Sequence, residues 1–269
     1  MTAFQDMEHE GWDKRAGGYR DLFGSITSQG VGPLLDALGS IEGCDFLDIA
    51  CGTGEVAGAA RRRGARAQGV DFAEKMVAQA REKFAAVEFR RGEAQELPFE
   101  DASFDAAACG FGLPYFADPG QALRSAQRVL RPGGRFALTA WCGPAQGGEF
   151  FALVDQMLAE HGIAEVNLPA PPPMFRLGDA EECRRCLVEA GFNVSRIDVV
   201  DLVWSTFSPR AIPEMIDASM IWTSNALQQQ APAVRDSIAR AIDVAGERMR
   251  KGGKIAFRLP ALLAVASVR

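Results

Sequence analysis

Between Cys44 and Trp141 short apolar runs alternate with stretches whose apolar residues recur at helical spacing. The runs predict strands near 44–49, 66–70, 86–90, 104–109 and 134–141. The periodic stretches predict helices near 55–63, 73–84 and 119–131, the last stopped by Pro132-Gly133-Gly134. Strands and helices in alternation are the signature of a parallel sheet with helices on both faces. Beyond Trp141 the pattern changes. Phe150, Phe151, Val154, Met157 and Leu158 recur at helical spacing, and Leu168-Pro169-Ala170-Pro171-Pro172-Pro173 reads as a rigid extended connector. A helix near 179–190 then leads through Gly191 to a strand near 193–204. A helical stretch over about 210–250 precedes a last β-like segment near 255–268.

The first strand ends in Phe46-Leu47-Asp48-Ile49-Ala50-Cys51-Gly52-Thr53-Gly54, and a second apolar run closes at Asp71. Gly52-x-Gly54 after a strand describes a sharp turn into a helix, where backbone can approach a ligand closely. As Gly52-x-Gly54-x-x-Ala57 followed by Asp71, the stretch also fits a dinucleotide fingerprint. Asp48, four residues before Gly52, argues the other way: a carboxylate there repels pyrophosphate and suits a cationic amino-acid moiety.

These residues resemble the class I S-adenosylmethionine-dependent methyltransferases, in the group that contains the ubiquinone and menaquinone C-methyltransferases. Leu47 to Gly54 is similar to their first motif, and Gly69-Val70-Asp71-Phe72-Ala73-Glu74-Lys75-Met76 to the motif of the second strand. Gly92 to Phe99 with Ser103-Phe104-Asp105 resembles the third, and Arg128 to Phe136 the turn before the fifth strand. The likeness is tight over about residues 40–142. It implies a Rossmann-like open α/β sheet of about seven strands, mostly parallel with an antiparallel last strand. Residues 208–252 would then be an insertion within the final hairpin. The implied organisation is one domain over 1–269, with an N-terminal helical lid (1–40), a cofactor-binding core (41–142) and helical caps (143–190 and 208–252) around an acceptor pocket.

The resemblance also implies the cofactor, S-adenosyl-L-methionine, leaving as S-adenosyl-L-homocysteine, and a small-molecule methyl acceptor. Asp48 with the backbone of Ala50, Gly52 and Gly54 would hold the methionine portion, and Asp71 the ribose hydroxyls. Phe72 and Met76 would pack on the adenine. Ala94 and Gln95 would flank its edge, with Glu93 standing where the family more often has Asp. Cys109 and Gly110 would close the floor. Trp12 and Tyr19 fall in a segment resembling the family's lid. Phe111, Tyr115, Phe116 and Trp141 follow the fourth and fifth strands on the same rim and suggest an aromatic-rich acceptor pocket, with Met215, Ser219 and Trp222 of the insertion as further lining. Methyl transfer needs alignment more than a protein nucleophile. Where an acceptor requires deprotonation, His9, Tyr115 and His161 are the candidate bases.

With 29 Lys and Arg against 35 Asp and Glu, the net charge of −6 argues against a nucleic-acid partner. No stretch approaches the length of a membrane span, and Met1 to Trp12 is mixed and acidic, so a cytoplasmic protein is expected. The six cysteines lack the spacing of a disulfide scaffold, and Cys183-x-x-Cys186 has no second pair or nearby histidine to complete a metal site. A homodimer is left open. Two other functions stay in view: a nicotinamide-dependent (NAD or NADP) oxidoreductase using the glycine loop, and a cofactor-binding protein without turnover.

Overall fold

The computed structural model describes residues 2–19, 22–161 and 166–269, with backbone alone at 18 and 19. Its strands are β1 Asp45–Ile49, β2 Arg66–Asp71, β3 Glu88–Arg91, β4 Phe104–Gly110, β5 Leu130–Trp141, β6 Phe192–Val200, β7 Val203–Thr206, β8 Ile255–Arg258 and β9 Ala261–Val268. Seven of them form one sheet in the order β3-β2-β1-β4-β5-β9-β6, and β7 and β8 form a two-stranded ribbon. The first five in that order run parallel; β9 is antiparallel to both β5 and β6. β1 is buried almost throughout, which explains why it reads as a continuous apolar run and not as an alternation. The strand order reverses beside β1, so the crevice at the carboxyl ends of β1 and β4 is the natural ligand site of the sheet.

The helices are α1 Ala3–Tyr19, α2 Phe23–Thr27, α3 Val31–Ala37, α4 Glu55–Arg62, α5 Glu74–Lys83, α6 Pro119–Val129, α7 Glu149–His161, α8 Ala180–Glu189, α9 Ala211–Ser219, α10 Ile221–Gln228 and α11 Pro232–Arg248. Asp118 caps α6 by accepting from Gln121 N at 2.8 Å, with Pro119 in the first turn, and Asp179 caps α8 through Glu181 N and Glu182 N. One face of the sheet is covered by α6 and α8 over Phe104, Phe136 and Leu138; the other by α3, α4 and α5 over Phe46, Ala108 and Ala137. A third apolar cluster lies beyond the rim, where Phe23, Trp141, Phe150, Phe151, Trp204 and Phe257 meet α1 and α9 to α11. Among the described residues no helix is long and apolar enough to cross a membrane.

Three expected boundaries differ. The helix expected to reach residue 131 ends at Val129, and Pro132-Gly133-Gly134 is a bulge inside β5: the ladder passes from Phe104↔Leu130 directly to Ala106↔Arg135. The Arg131 guanidinium fixes the start of the bulge by pairing with Asp105 at 2.7 Å and Asp45 at 3.0 Å. The segments 193–204 and 255–268 are each split, because the long hairpin they form bends where Leu259 N donates to Leu202 O and Pro260 has no N–H to continue the ladder. Its outer part becomes the β7–β8 ribbon. The stretch 210–250 carries three helices, broken at Met220 and again before Pro232.

Candidate functional site

The loop after β1 is built on left-handed backbone. Ala50 (φ 55°), Gly52 (φ 51°) and Gly54 (φ 85°) all lie in that region, and Gly54 is the N-cap residue of α4. A Cβ at Gly54 would stand 2.7 Å from the Phe89 ring, so this position excludes a side chain twice over. Cys51 N donates to Val70 O at 3.0 Å and Gly54 N to Cys51 O at 2.8 Å, which hold the turn against β2.

Two buried carboxylates brace the loop. Asp71 Oδ2 accepts from Gly52 N at 2.8 Å and Oδ1 from Ala73 N at 2.9 Å, so one residue ties the glycine turn to the start of α5. Asp48 Oδ2 accepts from Ala57 N at 2.9 Å in the first turn of α4. Burial pushes the Asp71 carboxyl up to about 6, against the pull of the Ala73 and Gly52 N–H groups. The Asp48 carboxyl is pushed up to about 8, again chiefly by burial; the Ala57 N–H opposes this and the nearby Asp71 and Glu55 charges add to it. Asp48 is 1% exposed and one of its oxygens is committed to the helix, yet the residue still borders the cleft.

Above the loop lies a cleft of two adjoining lobes. Asp71, Phe72, Met76, Trp12, Phe23, Gly112, Tyr115 and Phe116 line the first; Asp48, Thr53, Glu55, Val31, Leu34 and Thr139 are among those lining the second. Ala50, Gly52, Gly110 and Phe111 border both. Nothing lies within 4 Å of where a Gly52 Cβ would be, so the turn opens directly onto the cleft. Phe111 has φ 63°, an unusual conformation for a bulky side chain, of the kind that costs about 1–3 kcal/mol. Its N–H bonds Thr139 O at 3.0 Å and its ring stacks on Trp141 with centroids 4.1 Å apart.

Not every expected residue reaches this cleft. Cys109 is buried on the opposite side of β4, in the cluster under α6, where burial pushes its thiol up to about 12; it is Gly110 that borders the lobes. Gly54, Glu93, Ala94 and Gln95 line neither lobe. His9 Nε2 lies 3.0 Å from Glu93 Oε1, and Gln95 Oε1 receives Gln5 Nε2 at 3.5 Å and Asp118 N at 3.3 Å. α1 therefore covers that edge. The Tyr19 side chain lies outside the described residues.

The aromatic acceptor pocket is also corrected in part. Trp12, Phe111 and Tyr115 line the first lobe, but Trp141 is wholly buried among Phe111, Phe23 and Phe151. Met215 and Ser219 are packed, with Ser219 Oγ donating to Met215 O and its carbonyl accepting from Tyr115 Oη at 3.4 Å. Trp222 donates its indole N–H to Pro169 O at 3.0 Å, tying the insertion to the proline connector. Within the insertion α9 and α10 pack against α1, and α11 against α7 and α9.

The three candidate bases separate in space. His161 Nδ1 meets Ser237 Oγ at 3.0 Å in an open groove between α7 and α11, and lines neither lobe. His9 stacks on Phe72, 4.2 Å between centroids. Tyr115 stands edge-on to Trp12 in the first lobe. Sequence reasoning missed Phe23, Thr139 and Glu8. The Glu8 carboxylate is buried, accepts from Trp12 Nε1 at 3.0 Å, and is pushed up to about 7 by burial, with the indole N–H only partly offsetting. Its signal was the i, i+4 spacing to Trp12. Cys183 and Cys186 are buried thiols on α8, both raised by burial and so poorly suited to redox or metal chemistry.

Comparison with known proteins agrees with this geometry. The methyltransferase-domain family model matches residues 47–138. A demethylmenaquinone methyltransferase of Thermus thermophilus is 43% identical over 165 residues, covering 55% of this chain and 74% of that protein. One from Deinococcus radiodurans is 39% identical over 127 residues, covering 45% and 52%. The chain spans about half, and for others about a third, of the length of several curated relatives it matches. The crystal structure of YcgJ from Bacillus subtilis superposes with a TM-score of 0.59 at 22% identity, over 90% of this chain and 98% of that one, a likeness of fold alone. The extent of the Thermus match, on top of the motif-bearing loop and its two carboxylates, establishes that the chain belongs to the class I S-adenosylmethionine-dependent methyltransferases.

Proposed function

We propose that this protein transfers the methyl group of S-adenosylmethionine to a small aromatic or apolar acceptor. The observation that carries the proposal is Asp71: a buried carboxylate at the end of β2, bonded to Gly52 N and Ala73 N, on the wall of a cleft whose neighbours Phe72 and Met76 are flat and apolar. Each of its oxygens keeps lone-pair capacity beyond one backbone N–H, which suits the two hydroxyls of a ribose. Asp48 in the second lobe supplies negative charge for the ammonium of the amino-acid tail, and Thr139 Oγ1, buried there without a partner, supports a polar occupant. The residues present therefore fit the cofactor.

The chemistry that a bound S-adenosylmethionine supplies is an electrophilic methyl carbon on a sulfonium. The chain's part is to orient and to exclude water. Trp12 and Tyr115 wall the first lobe, while α1 is fastened across it by Asp13 Oδ1 accepting from Lys75 N at 3.1 Å. Glu93, Ala94 and Gln95 would meet an adenine edge once His9 moves off Phe72 and Glu93. Tyr115, on the wall of the first lobe, is the group this reading favours to take a proton from an acceptor. The six unpaired cysteines support a cytoplasmic home, where thiols stay reduced.

A nicotinamide dinucleotide would bring its pyrophosphate to the glycine turn beside Asp48 and hold that carboxyl still further from ionising, a cost that a cationic amino-acid tail does not carry. A screen with methyl-labelled cofactor over reduced naphthoquinones, phenols and amines tests the proposal. The relatives named demethylmenaquinone methyltransferases make reduced naphthoquinones the first class to try. Labelled product from any of them is expected; a folded, cofactor-binding protein that labels none would favour a binding role without turnover.

A further inference from the structure

Thr139 Oγ1 is buried and has no hydrogen-bond partner among the described residues. Buried polar groups in folded proteins are nearly always bonded, so this exception calls for a reason. Thr139 lines the second lobe near the carboxyl end of β5, outside all four of the family's motifs. Packing alone gives no reason for it, because valine has the same shape and carries no hydroxyl to satisfy. Thr27 and Glu55, two other polar residues of the lobe, are engaged elsewhere: Thr27 Oγ1 donates to Gly24 O at 3.4 Å and Glu55 pairs with Lys83.

The register of the sheet supplies the second observation. Asp48 pairs with Ala108 of β4, and Gly110, two residues further along β4, pairs with Thr139. Asp48, Gly110 and Thr139 therefore share one face of the sheet, the face under α3 and α4. All three border the second lobe, and Gly110 puts no side chain between the other two. With strands about 4.8 Å apart and residues about 3.3 Å apart along them, the Asp48 and Thr139 backbones stand about 12 Å from each other. One atom cannot touch both side chains. An α-amino-acid head group can: its ammonium and carboxylate, with a hydrogen bond of about 2.8 Å at each end, span about 9 Å, and the two side chains cover the rest.

Charge fixes the direction of that head group. A carboxylate beside Asp48 would meet a like charge, whereas an ammonium there is attracted. The carboxylate is then left at the Thr139 end, where it needs a donor, and a hydroxyl is one. On the proposed function, on which this inference rests, the sugar occupies the first lobe and the amino-acid tail the second. We propose that Thr139 recognises the carboxylate of that tail: its hydroxyl donates to a carboxylate oxygen while Asp48 holds the ammonium at the other end. Val31, Leu34 and Val56 wall the same lobe, and in such apolar surroundings a hydrogen bond to a charged group is stronger than in water. Thr139 is thus a specificity residue that touches the cofactor and selects a nucleoside carrying a complete amino acid.

S-adenosylmethionine and its decarboxylated form differ in that carboxylate alone, so the two ligands isolate the contact. Titration calorimetry of each into the full chain at pH 8, beside Thr139→Val and Thr139→Ser, tests it. Thr139→Val keeps the shape and is expected to bind S-adenosylmethionine about tenfold more weakly, the loss of one hydrogen bond to a charged group. Its affinity for the decarboxylated form should equal that of the wild type. Thr139→Ser keeps the hydroxyl and should bind both ligands as the wild type does. Where circular dichroism shows Thr139→Val misfolded, Thr139→Ala gives the same comparison. Undiminished affinity of the valine variant for S-adenosylmethionine, an equal loss on both ligands, or a wild type that binds the two equally well would each overturn the contact while leaving the cofactor assignment intact. Failure of the folded wild type to bind S-adenosylmethionine at all would overturn both.

Discussion

Asp48 and Asp71 end neighbouring strands, and their surroundings give them different work. Asp71 takes two backbone N–H groups and is pushed up to about 6; Asp48 takes one, is more fully enclosed, and is pushed up to about 8. Without a ligand Asp48 is thus largely neutral at pH 7, and a cation entering the second lobe has to draw its proton off. Because cation binding favours the ionised form, affinity should rise with pH through the window below about 8, by up to about tenfold per pH unit between pH 6 and 8, and then level. Asp48→Asn keeps an oxygen for Ala57 N but cannot ionise, so its affinity should be lower and flat across that window. Calorimetry with S-adenosylhomocysteine in buffers of different ionisation enthalpy reads both the slope and the proton released; a slope shared by the variant would remove Asp48 from the account.

Among the elements, α1 carries the most consequence for so polar a helix. Arg15 reaches from it to the Asp217 carbonyl, to Asp217 Oδ1 at 3.1 Å and to Ser224 Oγ at 3.0 Å, joining it to α9 and α10. Gly11 lets α10 come close: a Cβ there would stand 2.6 Å from two carbons of the Ile221 side chain. Gly11→Ala should therefore push α1 off α10, costing about 1–3 kcal/mol of stability as overpacking does, and should speed amide exchange along α1 while the β1–β4 core stays protected. Unchanged exchange in α1 would show that Ile221 simply turns aside. The elements differ in how far the sequence disclosed them. The strands β1, β2 and β4 and the helices α4 and α5 were legible because each carries one period and a sharp stop. The bend at Leu202 and Pro260 was not, since an apolar run reads the same whether it stays in one sheet or changes to another. In the cleft, Gly52 and Asp71 were legible because few residues suit a left-handed turn or a buried strand end. Trp141, Met215 and Ser219 were misjudged because an aromatic or apolar stripe has the same pattern in a core as in a pocket wall.

For the molecule as a whole, the order of the sheet and the placement of charge agree. Strand order reverses at β1, where the crevice opens, and the buried carboxylates of the described cleft face it from β1 and β2. A net charge of −6 adds a field of the same sign, suited to a cationic ligand. Over the crevice lie α1 and α9 to α11, with the aromatic stack at the rim. The central claim is that Asp71 holds the sugar of S-adenosylmethionine in this cleft. Titration calorimetry of S-adenosylmethionine into the full chain at pH 8, beside Asp71→Asn, tests it most directly. The wild type should bind one equivalent. The variant, folded by circular dichroism, should bind about ten- to a hundredfold more weakly, as expected for hydrogen bonds that lose a charged partner. No heat from the folded wild type, or equal affinity in the variant, would contradict the account.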